Sequence, residues 1–233
     1  MNVLVIDVGG SHVKLAVSSG EPPRRFDSGK GLTPETLVTR VRKETADWDY
    51  DCISLGYPGI VDLDEPGEEP GNLAEGWVGF DFDQAFGHPV RLVNDAVMQA
   101  LGAYDGGRML FLGLGTGLGS ALVSEHVVVP LELGNLPAPR GGTMADCIGR
   151  KALNTNGRQR WVDDVHDIAG VLHPAFAADY LMLGGGNAEL VDPLPAGTRR
   201  GGNEDAFAGG YRLWEEEVET PSRQPHRIWR VVQ

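Results

Sequence analysis

A short apolar strand running straight into glycine occurs three times in this chain, and that pattern limits the fold more than any other feature. Residues 3–6 lead into Gly9-Gly10, residues 109–112 into the glycines of 113–119, and residues 180–183 into Gly184, Gly185 and Gly186. A strand that hands over to glycine leaves backbone N–H groups free to point at a ligand, as anion-binding loops do. The first two runs are also related to each other. Residues 9–17 and 115–123 share glycines, a small hydroxyl residue and an apolar end. A β-hairpin with a phosphate-sized loop in each half predicts two lobes facing across a cleft, because each lobe can then offer N–H groups to one side of a polyanion.

The remaining pattern fits an α/β chain. Thr33-Pro34 reads as an N-cap followed by proline at the first helical position, opening a helix to about residue 46 with Leu37, Val38 and Val41 on its apolar stripe. Residues 52–55 read as a strand, 56–59 as a turn, and 90–93 as a strand running into Asn94-Asp95 at the head of a helix. Helices are expected around 144–153 and 160–172, and a last one over 203–218. These elements divide the chain into an N-terminal lobe of residues 1–95, completed by the last helix, a C-terminal lobe of 96–202, and a tail of 219–233.

The net charge of −13 argues against a nucleic-acid or membrane-surface role. Cys52 and Cys147 lie far apart without a CxxC spacing, so no structural zinc is expected, and the absence of a long apolar run or leader reads as a cytoplasmic protein. The glycines of 113–119 fail the dinucleotide fingerprint in every register, because the i+5 position falls on Leu118, Ser120 or Leu122, and no GxxxxGK[ST] run exists.

What survives is a hairpin loop whose N–H groups and Thr116 hydroxyl grip phosphate. Asp7 closes the first strand beside Gly9-Gly10, where a carboxylate suits Mg²⁺ carried with phosphate. Lys14, in the same hairpin, could screen phosphate charge or be solvated. Asp95, at a strand end facing the cleft, is placed for a base toward a substrate hydroxyl, with an N-cap pair as the plain alternative for Asn94-Asp95. Glu132, between leucines, could accept hydrogen bonds from sugar hydroxyls. Residues 137–161 carry Arg140, Arg150, Lys151, Arg158 and Arg160 against Asp146 alone, and either form a solvated face or extend the cleft into a groove for a long polyanion.

Taken in order, these motifs resemble the ROK sugar kinases of the actin and hexokinase-like superfamily, and above all their polyphosphate glucokinase type. The matching pieces are residues 7–14, 56–61, Gly71-Asn72-Leu73 with Trp77, 89–96, 114–122, 129–136, 183–186, and Asn203 before the closing helix. The resemblance implies a two-lobed actin-like, ribonuclease H-like ATPase fold with a duplicated sheet and helix core, acting as a cytoplasmic homodimer with a sugar and a phosphoryl donor as its partners. It implies phosphoryl transfer from ATP or polyphosphate to a hexose hydroxyl, glucose to glucose 6-phosphate first among them, with Mg²⁺ held by Asp7 through water. Asp7, Gly9, Gly10, Ser11 and Lys14 would form the first phosphate motif and Gly115, Thr116 and Gly117 the second. Asp95 would be the catalytic base, Asn72, Asn94, Glu132 and Asn135 would join it in holding the sugar, and Gly185 and Gly186 would lie against a nucleoside.

Asn135 stands where the family has histidine, and the zinc loop of zinc-containing relatives is absent, which leaves another hexose or an amino sugar open as acceptor. A silent sugar-binding relative is disfavoured by the presence of Asp7 and Asp95. A repressor would carry a DNA-binding segment ahead of the first strand, whereas Met1-Asn2 leads directly into it.

Overall fold

The computed structural model describes residues 1–62, 65–125, 127–202, 204–215 and the backbone of 229–230. The first half supplies β1 (Val3–Val8), β2 (His12–Val17), β3 (Arg24–Asp27), α1 (Pro34–Glu44), β4 (Cys52–Tyr57), a small hairpin of β5 (Val61–Asp62) and β6 (Glu65–Pro66), α2 (Phe82–Phe86) and β7 (Val90–Asn94). Helix α3 (Asp95–Ala103) crosses to the second half, which holds β8 (Met109–Leu114), β9 (Leu118–Ser124), β10 (Val127–Leu131), α4 (Met144–Ile148), α5 (Arg150–Asn156), α6 (Arg158–Ala175), β11 (Tyr180–Gly184) and β12 (Thr198–Arg200). Helix α7 (Asp205–Arg212) crosses back, and β13 (Trp229–Arg230) lies on the edge strand β10.

The two main sheets repeat one topology. The first has the order β3-β2-β1-β4-β7, and within β12-β11-β8-β9-β10-β13 the five strands β10-β9-β8-β11-β12 follow the same plan. In each, three strands form an antiparallel meander and two more add in parallel. The duplicated hairpins read from the sequence are β1-β2 and β8-β9, at corresponding places in the two sheets.

Both sheets are buried on both faces, which explains why their central strands read as nearly unbroken apolar runs. Leu4, Ile6 and Val8 pack with Leu37 and Val41 of α1, while Val3 and Val5 alternate toward α3 and α7. In the second sheet Leu110, Leu112 and Leu114 pack with α6, and Met109 and Phe111 turn to the middle layer. Helix α1 begins as expected, with the Thr33 hydroxyl accepting from Thr36 N at 3.3 Å and Pro34 at the first helical position. The single helix expected over 144–153 is instead two, broken at Gly149, with a capping box between Thr143 and Asp146 opening the first.

The middle layer is made by α3 against α7. They approach so closely that a Cβ on Gly102 would stand 2.8 Å from Gly209 N, and one on Gly209 2.9 Å from Gly102 N, each also running into a carbonyl oxygen, that of Asp205 or of Met98. Helix α7 also packs on β1 and β4, where Ser54 Oγ donates to Gly210 O at 2.6 Å and accepts from Trp214 Nε1 at 2.9 Å. The closing helix is shorter than the sequence suggests, Asp205–Arg212. Asn203 and residues 216–218 of the expected 203–218 span, with most of the 219–233 tail, lie outside the described residues.

Candidate active site

A cleft of about 580 Å³ opens between the lobes where the two glycine hairpins face each other. The β1-β2 register sets Asp7 directly opposite Lys14, so their side chains share a face, and Lys14 Nζ donates to Asp7 Oδ2 at 3.2 Å. Asp7 is buried, while Lys14 is 40% exposed and faces the cleft rather than the open surface. Gly9, Gly10 and Ser11 follow in the turn. A Cβ on Gly10 would lie 2.8 Å from Thr116 Oγ1 and collide with the Asn72 amide, so the first loop, the second loop and the loop holding Asn72 converge at Gly10, where any larger residue would displace those side-chain tips. That third loop is fixed from behind. The Glu69 carboxylate accepts from Gly76 N, Trp77 N and Val78 N at 2.9, 3.1 and 3.2 Å, and Trp77 is fully buried.

Asn94 and Asp95 stand at the head of α3. The Asn94 carbonyl accepts from Ala96 N at 2.9 Å and Val97 N at 3.2 Å, and its amide donates to Gly59 O at 2.9 Å. Asn94 lines the cleft, and its side chain also caps the helix and ties down the 58–59 turn, while its amide keeps a second N–H. Asp95 accepts from Ala96 N at 2.8 Å. Burial, aided by the negative charges of Asp7 and Glu132 and opposed by the Ala96 N–H and Lys14, pushes its carboxyl up to about 7. An Asp near its ordinary value of about 4 is what the sequence leads one to expect, and burial first, with the neighbouring carboxylates second, accounts for the difference. Burial and the charge of Glu68 push Glu132 upward as well.

Gly115, Thr116 and Gly117 cap the β8-β9 hairpin and line the opposite wall, with Gly185 and Gly186 beyond β11. Asn135 is not brought into the cleft. It ends a 3-10 turn, Leu133–Asn135, whose buried Leu133 and Gly134 face inward and leave Asn135 exposed. Among the lining residues that the motif reading leaves out are Glu68 and Arg150. Glu68 sits in an acidic loop with no distinguishing spacing, and Arg150 is hidden among the basic residues of 137–161.

Three of the five basic side chains of that stretch are engaged within the fold. Arg140 pairs with Asp164 at 3.6 Å and Asp167 at 2.5 Å, Arg160 pairs with Asp164 at 3.1 Å, and Arg158 donates to Leu190 O at 3.0 Å. Asp164 and Asp167 of α6 meet Arg140 and Arg160, the latter in an i,i+4 arrangement that a count over 137–161 leaves out.

Among the described residues no group of three or more His, Cys, Asp or Glu comes together to hold a metal ion. We expect metal analysis of protein purified without added zinc to give well below one zinc per chain, and one tightly held equivalent would contradict this. No described helix is long and apolar enough to cross a membrane.

No protein-family model matches the chain. It is 26% identical over 211 residues to the polyphosphate glucokinase of Mycobacterium tuberculosis, covering 80% of this chain and 78% of that one. Among solved structures, the inorganic polyphosphate/ATP-glucomannokinase from Arthrobacter matches with a TM-score of 0.77 at 22% identity, over 89% of this chain and 96% of that one. A ROK family glucokinase from Streptomyces griseus, solved with glucose and AMPPNP, matches with a TM-score of 0.73 at 17% identity, over 90% and 97%. The fold is that of the ROK sugar kinases, and the resemblance read from the sequence is the one these comparisons return.

Proposed function

We propose that this chain is a sugar kinase that moves the terminal phosphoryl group of ATP or polyphosphate onto a hexose hydroxyl, with glucose to glucose 6-phosphate as its reaction. The observation that carries this reading is the meeting, in one cleft, of two glycine hairpins with Asp95, a carboxylate whose protonation lies near neutrality. The similarity to glucokinases that use polyphosphate or ATP supports it.

In the step, the hydroxyl oxygen bonds to the terminal phosphorus as the bond to the bridging oxygen breaks. That electron pair leaves with ADP or the shortened polyphosphate, and the hydroxyl proton passes to Asp95. A carboxylate with a proton affinity near that of the surroundings can orient the hydroxyl and still accept its proton late in the transfer. The glycine-loop N–H groups face the charge that spreads over the phosphoryl oxygens. Bound with the donor, Mg²⁺ would supply neutralisation of phosphate charge, and Asp7 fits it: a buried carboxylate at the phosphate loop is the one or two ligands that Mg²⁺ takes from protein beside water and phosphate oxygens.

An amino sugar is the second acceptor reading, favoured by Glu68 standing with Glu132 on the acceptor side. A coupled assay crossing ATP and polyphosphate with glucose, mannose and glucosamine tests both readings, and absence of turnover with every pair would overturn the kinase assignment. Because Arg140 and Arg160 are neutralised on α6, the KM for polyphosphate is expected to rise only about threefold between low and physiological ionic strength, much like that for ATP. A tenfold or steeper rise for polyphosphate alone would restore the groove.

A further inference from the structure

Arg150 is fastened to one phosphate loop and reaches to the other. Its backbone N–H donates to Gly115 O at 3.1 Å and Thr116 O at 3.2 Å, which fixes its Cα against the second hairpin. Its guanidinium crosses the cleft and donates to Ser11 Oγ of the first hairpin at 2.6 Å. The side chain therefore spans the space between the two loops that a phosphate chain would occupy.

Charge distinguishes it from the other cations there. Lys14 is paired with Asp7 at 3.2 Å, and His12 lies 3.4 Å from Asp27. The nearby Arg140 and Arg160 are paired on α6, away from the cleft lining. Arg150 donates to a neutral hydroxyl, and among the described residues no carboxylate pairs with it. A half-buried guanidinium aimed at glycine loops and matched only by a serine has most of its charge and its planar fork of N–H donors uncompensated. That fork fits the oxygens of a phosphate, which a hydroxyl cannot saturate.

We propose that Arg150 is a donor-binding residue: its guanidinium holds the phosphate chain of the phosphoryl donor between the two glycine hairpins, with Ser11 as its resting partner. The inference rests on the kinase reading above and adds to it the residue that recognises the donor. The rival is a purely structural tether between lobes. A tether would affect stability and both substrates alike, whereas a donor ligand acts on one substrate.

The test compares wild type with R150M and R150K in steady-state kinetics, with thermal melting and calorimetric binding of tripolyphosphate alongside. We expect R150M to raise the donor KM about ten- to a hundredfold, as for loss of a charge-assisted hydrogen-bonded anchor. The acceptor KM should stay within about twofold and the melting temperature close to wild type, with R150K intermediate because it keeps the charge but not the fork. Tripolyphosphate affinity should fall by a similar factor. A donor KM within twofold of wild type overturns the proposal, as does a parallel rise in both KM values with a lower melting temperature. If wild type phosphorylates no sugar, the kinase reading falls, and the calorimetry decides Arg150 by itself: weaker tripolyphosphate binding in R150M upholds it, while equal binding, or none by wild type, overturns it.

Discussion

Replacing Asp95 by Asn is expected to lower kcat by about 10²–10⁴ while leaving the fold in place, the usual loss for a positioned acid or base. The isosteric amide keeps the shape beside Ala96 N but cannot take the hydroxyl proton. Turnover within about threefold of wild type would remove Asp95 from that role. With Asp95 as the proposed proton acceptor its ionised form is the active one, and because its carboxyl is pushed up to about 7, wild-type kcat/KM should climb toward neutral pH and level off above it. The same burial has a stability consequence of definite sign. In the unfolded chain an Asp ionises near pH 4, so from there up to about pH 7 the folded state loses stability as it resists the charge, and the full loss is present above neutrality. D95N escapes this and should melt higher than wild type at pH 8, by about 3 °C or more, with the gap closing toward pH 4. An enzyme that melts no higher after the substitution would mean that the site does not strain this carboxylate.

The second large effect is structural. G209A places a methyl group against the Met98 carbonyl oxygen and 2.9 Å from Gly102 N, backbone atoms that cannot rotate away as a side chain could. Overpacking of this kind usually costs about 1–3 kcal/mol, and with main chain on the other side we expect the upper end or beyond. Melting should fall by about 6 °C or more. G102A meets the same obstruction from the other helix and should behave alike. A melting temperature for G209A within about 2 °C of wild type would show that α3 and α7 can separate freely.

The sequence could reveal both glycine hairpins, the Thr33 cap and the Asn94-Asp95 helix head, because each is a local arrangement in which strand period, glycine and cap chemistry agree. Other features depend on residues far apart in the chain. The proton affinity of Asp95 reflects its burial between the lobes and then Asp7 and Glu132 across the fold, and no spacing displays either. Arg150 looks like one of five basic residues in the sequence, and only the fold separates it from Arg140 and Arg160, which pair with carboxylates of α6, by turning its guanidinium into the cleft. Asn135 was read by its place in a motif, but the 3-10 turn from Leu133 carries it outward, a half-turn decided by Leu133 and Gly134 packing inward. The glycines of the helix crossing look like ordinary small residues in a helix, where glycine is a poor choice; only the opposing backbone gives the reason.

Helix α3 carries Asp95 at its head and Gly102 near its other end, seven residues on, a separation of about 10 Å along the axis. It is thus a short lever whose fulcrum is the glycine crossing and whose tip is the proposed proton acceptor. A tilt of about 10° at the fulcrum moves the tip by roughly 2 Å, and a misplacement of about 1 Å can already cost a hundredfold in rate. Substitutions at the crossing that the fold tolerates should therefore register in turnover before they register in sugar affinity, making a packing contact remote from the chemistry a control on its geometry.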